Sequence, residues 1–133
     1  AVRIANKEDL SRYGIAKVKN IEENIYKIEE IIEKPKPEEA PSNLATHGAY
    51  ILPPDIFDLL RKQEVSTDGE IYLSKAIDDL IKHGFPVYAC EIENGRYYDT
   101  GNKLEYLKTV VDMGLQHPDI NGEFREFLKD LKL

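Results

Sequence analysis

The stretch 13–35, YGIAKVKNIEENIYKIEEIIEKP, decides the fold of this chain. Residues 13–19 alternate between apolar and charged side chains, which is the pattern of a half-buried strand. A polar turn over 20–24 separates them from a second apolar run, 25–32. Two such runs joined by a short polar segment predict an antiparallel hairpin. On one face the second strand is predicted to carry Tyr26, Ile28 and Ile32.

The second strand ends in Glu33-Lys34-Pro35, an adjacent acid and base followed by a proline. Open α/β sheets place ligand crevices outside the carboxyl ends of their strands. A carboxylate accepts hydrogen bonds from sugar hydroxyls, and an ammonium group attracts phosphate. The pair therefore indicates a sugar-phosphate site, although a strand that simply ends in solvent carries the same residues.

The rest of the chain predicts alternating strands and helices. A third strand over 45–52 ends at Pro53-Pro54, which opens a short helix through Leu60. Thr67-Asp68-Gly69-Glu70 has the spacing of a capping box for a helix that ends at Gly84. A strand over 86–93 follows, with a hairpin turn signal at Asn94-Gly95.

Two helices are predicted at the C-terminal end. Asn102 can cap the first of them, and Pro118 stops it. The last helix follows Asn121 and places apolar residues at helical spacing. This order of elements predicts an α/β or α+β fold.

Composition excludes several classes of protein. The chain has 133 residues, the length of one ordinary domain, with 41% hydrophobic and 32% charged residues, which is typical of a globular protein. A net charge of −7 argues against a general nucleic-acid binder. Cys90 is the one cysteine, so an internal disulfide framework is excluded. No apolar run reaches the roughly 18 residues of a membrane helix. We therefore expect a soluble, cytoplasmic protein with no membrane partner.

The first residues, Ala1-Val2-Arg3-Ile4-Ala5, resemble a strand entered partway. They predict a segment of a longer protein, although removal of an initiating methionine would leave a similar start.

An ordered set of short motifs points to a family. The motifs are Arg12-Tyr13-Gly14-Ile15, Ile32-Glu33-Lys34-Pro35-Lys36-Pro37, Pro41-Ser42-Asn43-Leu44-Ala45, Gly48-Ala49-Tyr50-Ile51-Leu52, Asp68-Gly69-Glu70-Ile71, Tyr98-Asp99-Thr100-Gly101 and His117-Pro118. Over nearly the whole chain, this order resembles the C-terminal half of prokaryotic UTP–glucose-1-phosphate uridylyltransferases.

The resemblance implies an α/β fold, namely the C-terminal half of a Rossmann-like nucleotidyltransferase, with a mixed sheet, flanking helices and a C-terminal helical pair. It implies formation of UDP-glucose and pyrophosphate from UTP and glucose 1-phosphate, with Mg2+. The family's Gly-x-Gly-Thr-Arg nucleotide loop does not occur in this sequence. We therefore expect 1–133 to form the sugar-phosphate portion, to be inactive alone, and to use the helices of 102–133 in a homo-oligomer.

The resemblance also assigns roles to individual residues. Glu33 matches the glutamate that binds the sugar, and Lys34 matches the catalytic lysine that contacts its phosphate. Gly14 matches a glycine that lets the backbone approach the sugar, and Thr46 falls beside the sugar. Asp99 matches a catalytic aspartate that binds the metal. Without the resemblance, these positions are typical of a strand end in solvent, a surface lysine, a strand bulge and a cap-like aspartate at a turn.

Two alternatives stay open. The first is a thymidylyl or cytidylyl relative, since the residues that select the base are not in this sequence. The second is a non-catalytic module that binds a sugar phosphate or mediates assembly.

Overall fold

The predicted antiparallel hairpin is confirmed, and it lies within a five-stranded sheet. In the computed structural model, β2 (Gly14–Glu22) pairs with β3 (Ile25–Glu33) in antiparallel fashion. The strands extend further than predicted, so the turn contains only residues 23 and 24. Gly14 and Glu33 are register partners, which brings the two ends of the hairpin together.

Three short strands complete the sheet that the structure describes: β1 (Val2–Arg3), β4 (Leu44–Ala45) and β5 (Val87–Cys90). The strand order is β1-β4-β2-β3-β5. The α/β class with flanking helices is confirmed. The sheet differs from the expected mixed one because every strand pair in the described residues is antiparallel.

A β-bulge in β3 changes which residues of that strand face the core, so the predicted face is wrong for Ile32. Lys17 pairs with Glu30 and Val18 pairs with Ile28, so Glu29 is an extra residue in the ladder. One extra residue reverses the side to which later side chains point. Ile31, rather than the predicted Ile32, therefore joins Ile28 in the core.

Two α-helices pack in the first unit, which spans Ala1–Asn94 and also contains a 3-10 helix (Lys7–Arg12). They are α1 (Asp55–Lys62) and α2 (Leu73–Lys82), and α2 contacts β3. Helix α2 ends as predicted, with Gly84 at a φ of +89°. The main core combines apolar residues of the helices with those of the sheet, and each fully buried Leu or Ile contributes about 2 to 3 kcal/mol. It comprises Ala16, Ile28, Ile31, Leu44, Ile56, Ala76, Ile77, Leu80 and Ala89.

Three predicted local features are wrong. Among the described residues of 45–52, only Ala45 belongs to a strand, and those after it have no strand partner. The segment 67–70 forms a turn instead of a capping box, and α2 begins after Tyr72 without a side-chain cap. No strand follows Asn94 within the described part of 95–102, so the predicted hairpin is absent there.

The second unit spans Gly95–Leu133 and contains α3 (Lys103–Gln116) and α4 (Asn121–Asp130). The predicted cap is confirmed, since Asn102 Oδ1 accepts hydrogen bonds from the amides of Leu104 and Glu105 at 3.0 and 3.1 Å. Helix α3 ends before Pro118, as predicted.

The structure describes residues 1–4, 6–47 and 49–131. Gly48, part of one quoted motif, and the last two residues of the predicted region 102–133 lie outside them. No helix in these ranges combines the length and apolar character needed to cross a membrane.

Candidate functional site

Gly14 lies at the start of β2, in a space that its neighbours fill. A Cβ at this position would lie 2.9 Å from Glu33 Oε2, 3.0 Å from Thr46 Oγ1 and 3.3 Å from Ser74 Cβ. Contacts near 3 Å are shorter than van der Waals packing allows. The absence of a Cβ is therefore required, but it makes room for side chains of this chain.

Thr46 follows β4 and closes one side of this space. Its amide donates to the Gly14 carbonyl at 2.9 Å, and its hydroxyl donates to the same carbonyl at 3.2 Å. Its own carbonyl accepts from Tyr50 Oη at 3.2 Å. Partial burial raises the pKa of the Tyr50 phenol, and the negative charge of Glu33 raises it further. Thr46 therefore lies beside Gly14 and Glu33, and its predicted place beside the sugar stays a prediction.

Glu33 is half-buried at the end of β3 and is bound by a residue that the sequence did not reveal. Ser74, in the first turn of α2, donates its hydroxyl to Glu33 Oε2 at 2.5 Å. A charge-assisted hydrogen bond of this length restricts the carboxylate to one orientation. Glu33 and Ser74 are far apart in the sequence, and the packing of α2 on β3 brings them together.

Lys34 has an unusual backbone conformation. Its φ is +47°, in the left-handed region of backbone conformation that residues other than Gly, Asn and Asp rarely adopt. Its amide donates to the Tyr13 carbonyl at 3.0 Å, and the buried Pro35 follows it. Residues held in such regions often belong to functional sites, where the surrounding structure maintains the strain.

The ammonium of Lys34 is bound by a second element, the segment that leads into α2. Lys34 Nζ donates to Tyr72 Oη at 2.7 Å, and Tyr72 Oη donates to the carboxylate of Asp68. Asp68 Oδ2 and Glu70 Oε2 lie 3.9 and 3.8 Å from Lys34 Nζ. The hydrogen bond to Tyr72 raises the pKa of Lys34, and the hydrogen bond from Tyr72 lowers the pKa of Asp68.

Asp99 belongs to the second unit. Its Oδ1 accepts from the amide of Gly101 at 3.1 Å, and its carbonyl accepts from the amide of Asn102 at 3.2 Å. No group of three or more His, Cys, Asp or Glu side chains in the described ranges could hold a metal. One hard carboxylate is nevertheless compatible with Mg2+, which commonly takes one or two carboxylates and completes its shell with phosphate oxygens and water.

The structure thus brings Gly14, Glu33 and Thr46 together, with Lys34 beside them on the chain. Asp99 lies in the other unit. Sequence reasoning missed Ser74 and Tyr72. The available signal was the quoted Asp68-Gly69-Glu70-Ile71 motif, which leads directly into both residues.

Comparison with known proteins agrees with the resemblance seen in the sequence. A family model described as nucleotidyl transferase matches residues 1–114. UTP–glucose-1-phosphate uridylyltransferase 2 of Streptococcus pyogenes serotype M1 is 39% identical over 125 residues, which is 93% of this chain and 41% of that protein. A putative UTP–glucose-1-phosphate uridylyltransferase of Methanocaldococcus jannaschii is 43% identical over 93% of this chain and 42% of its own length.

Solved structures give the same result. A UDP-glucose pyrophosphorylase in complex with UDP-glucose has a TM-score of 0.79 at 33% identity and covers 86% of this chain. A UTP-bound UDP-glucose pyrophosphorylase from Acinetobacter baumannii has a TM-score of 0.79 at 34% identity and covers 98%. This chain spans 42% and 44% of those chains, so it corresponds to less than half of each.

Proposed function

Because this chain belongs to the nucleotidyl transferase family, we propose that it supplies the sugar-phosphate side of an enzyme that makes UDP-glucose. The enzyme would convert UTP and glucose 1-phosphate into UDP-glucose and pyrophosphate, as the names of the relatives indicate for those proteins. The observation that carries the proposal is the pairing of a fixed carboxylate with a bound ammonium at the end of β3, on Glu33 and Lys34.

Glu33 is proposed to orient the glucose ring. A carboxylate accepts hydrogen bonds through both oxygens, so it can bind neighbouring sugar hydroxyls while one oxygen keeps a protein donor. Ser74 is that donor. Since the carboxylate is fixed before the sugar arrives, little conformational entropy is lost on binding.

Lys34 is proposed to contact the phosphate of the sugar and to be a catalytic residue. An oxygen of that phosphate attacks the α-phosphorus of UTP, and pyrophosphate leaves in line. Two anionic substrates repel each other as they meet, and a fixed positive charge between them offsets this repulsion. Catalysis then consists of positioning and charge neutralisation without a covalent intermediate.

Asp99 is proposed to supply one carboxylate ligand to Mg2+. The ion, when bound, neutralises charge that develops on the transferring phosphate. The carboxylate is anchored to the turn before α3 by the Gly101 amide, which limits its movement. Asp99→Ala should therefore weaken Mg2+-dependent turnover while α3 retains its Asn102 cap.

Titration of this chain with glucose 1-phosphate tests the sugar-phosphate role directly. We expect binding in isothermal calorimetry that Glu33→Ala removes and that Glu39→Ala, a change of an exposed acid in the 36–39 turn, leaves intact. If the unsubstituted chain does not bind glucose 1-phosphate, or if both variants bind equally well, the assignment is wrong.

Pyrophosphate release tests the reaction. We expect none from this chain alone, and release from UTP and glucose 1-phosphate by an enzyme of the relatives' length that contains this segment. Preference for dTTP or CTP would favour the thymidylyl or cytidylyl alternative. Sugar-phosphate binding by that enzyme without release from any nucleotide would favour the non-catalytic module.

The helices of 102–133 are proposed to contact another subunit in a homo-oligomer. Phe124 packs against Gly114, where a Cβ would lie 2.7 Å from the ring, whereas Phe127 and Leu131 are exposed. An exposed apolar stripe on a helix pair is suited to a subunit contact. Light scattering should therefore give a mass above that of the monomer, and Phe127→Ser should lower it. A monomeric mass for the unsubstituted protein would exclude the contact.

A further inference from the structure

We infer that Tyr72 is a positioning residue that holds the ammonium of Lys34 for the phosphate of the sugar. The inference rests on the proposed function, because it assigns a role within the same site. Tyr72 precedes α2 and approaches Lys34 in two ways. Its hydroxyl accepts from Lys34 Nζ at 2.7 Å, and its ring centroid lies 4.6 Å from the same nitrogen.

The direction of each hydrogen bond in this chain of groups is fixed by chemistry. An ammonium can only donate, and an ionised carboxylate can only accept. Tyr72 therefore gives its one proton to Asp68 and presents an oxygen lone pair to Lys34. Asp68 thus determines which way the Tyr72 hydroxyl points, and Tyr72 determines where the Lys34 ammonium lies.

This arrangement leaves the ammonium able to bind a further group. An ammonium has three N–H donors, and Tyr72 receives one of them. The carboxylates of Asp68 and Glu70, at 3.9 and 3.8 Å, are beyond hydrogen-bond distance. The Lys34 side chain is 43% exposed, so solvent or a phosphate can approach it.

The proximity of two carboxylates gives Tyr72 a second effect. Asp68 and Glu70 alone would attract Lys34 into direct ion pairs, which would consume the donors that a phosphate needs. A neutral hydroxyl between Lys34 and Asp68 keeps the positive charge nearby without a direct contact. A second ammonium, that of Lys75, lies 5.7 Å from the centroid of the Tyr72 ring. It donates to Ser66 Oγ at 2.7 Å and is therefore bound to the turn before α2.

Tyr72→Phe removes the hydroxyl and keeps the ring, and therefore tests the inference. We expect the affinity of the full chain for glucose 1-phosphate to fall by about three- to tenfold, as for loss of one partly exposed hydrogen bond to a charged group. The affinity for glucose, which has no phosphate, should not change. Tyr88→Phe, which removes a hydroxyl from an exposed side chain of β5, is the matched control and should bind both sugars normally.

A spectroscopic measurement separates positioning from a general structural effect. The 13Cε resonance of Lys34 should shift in Tyr72→Phe, because the ammonium loses its hydroxyl partner and can move towards the carboxylates of Asp68 and Glu70, whereas Tyr88→Phe should leave the resonance unchanged. The effect of Tyr72→Phe on glucose 1-phosphate affinity should also disappear in a Lys34→Ala background.

The outcomes distinguish the two proposals. If the unsubstituted chain binds glucose 1-phosphate and Tyr72→Phe binds it equally well, the role of Tyr72 is overturned while the sugar-phosphate site stands. A parallel loss of affinity for glucose and glucose 1-phosphate would also overturn it, since the effect would not depend on the phosphate. If the unsubstituted chain does not bind glucose 1-phosphate, both proposals are overturned.

Discussion

Glu33 and Lys34 are neighbours at the end of β3, but the protein holds them by different means. Glu33 is half-buried, packs against a glycine that has no room for a Cβ, and accepts a short hydrogen bond from Ser74. Lys34 is exposed, has a positive φ, and is held by the hydroxyl of Tyr72. Close packing together with one hydrogen bond therefore fixes the carboxylate, whereas contacts with one tyrosine hold the exposed ammonium. Substitutions near the two residues should consequently have different effects.

The largest effect is expected from loss of the ammonium. In an enzyme of the relatives' length, Lys34→Ala should lower kcat by about 100- to 1000-fold, which is typical for removal of one electrostatic contact to a transition state. The unfolding midpoint should change little, because the side chain is exposed. Lys36→Ala, which removes an exposed lysine two residues away, is the control and should retain activity. A loss of less than tenfold for Lys34→Ala would contradict the proposed role.

The second-largest effect is expected from Gly14→Ala, which tests whether close packing holds the Glu33 carboxylate in place. Gly14→Ala places a methyl group where Glu33 and Thr46 now lie, so the carboxylate must move. We expect glucose and glucose 1-phosphate to bind at least about tenfold more weakly, and stability to fall by about 1 to 3 kcal/mol, as for an overpacked core.

Gly122→Ala is the matched control for that change. No atom lies within 4 Å of a Cβ at Gly122, which is in the first turn of α4. Alanine should therefore raise stability slightly, because it favours helix over the unfolded chain. Calorimetric titration and urea unfolding measure both quantities, and normal binding by Gly14→Ala would contradict the close packing.

A smaller effect is expected from Ser74→Ala, which releases one oxygen of Glu33. Binding of glucose and of glucose 1-phosphate should weaken by the same factor of about five, because the contact acts on the sugar and not on the phosphate. Tyr72→Phe should affect only glucose 1-phosphate, so the two variants together test the contrast between the neighbours. Ser11→Ala, at an exposed position of the 3-10 helix over 7–12, is the control. Phosphate-dependent weakening by Ser74→Ala would contradict the distinction.

The smallest effect concerns the backbone of Lys34. Glycine adopts a positive φ without the Cβ clash that alanine suffers. Lys34→Gly should therefore be more stable than Lys34→Ala by about 1 kcal/mol, although both lack the ammonium. Urea unfolding of the two variants measures the difference. Equal stability would show that the φ of +47° is not strained.

Local patterns in the sequence predicted those parts of the fold that depend on local physics. The hairpin follows from alternation over 13–32, and the start of α3 follows from the ability of Asn102 to accept two backbone hydrogen bonds. The strand predicted over 45–52 is wrong because a strand requires a partner, which an apolar pattern cannot supply.

The candidate site was predicted only where its residues lie within recognisable motifs. Glu33 and Lys34 stand in one such motif at a strand end. Ser74 and Tyr72 reach them only through packing of α2 on β3, which no local pattern encodes. The spacing of Thr67-Asp68-Gly69-Glu70 predicts a cap, but Gly69 adopts a φ of +84° and Asp68 accepts a hydrogen bond from Tyr72 instead. The functional assignments of all five predicted site residues stay predictions: Gly14, Glu33, Lys34, Thr46 and Asp99.

The bulge at Glu29 makes this one position of β3 dispensable for the register of the hairpin. Residues 28 and 30 pair with consecutive residues of β2, so removal of residue 29 would leave a regular ladder. Ile28 and Ile31 would then remain on the same face, because they would be two positions apart. Beyond Ile28, β3 is no longer paired with β5, and the amide of Ile31 donates instead to the buried carboxylate of Asp78 at 2.9 Å. A deletion at position 29 should therefore keep this hydrogen bond and leave the carboxylate of Glu33 on its present side of the sheet.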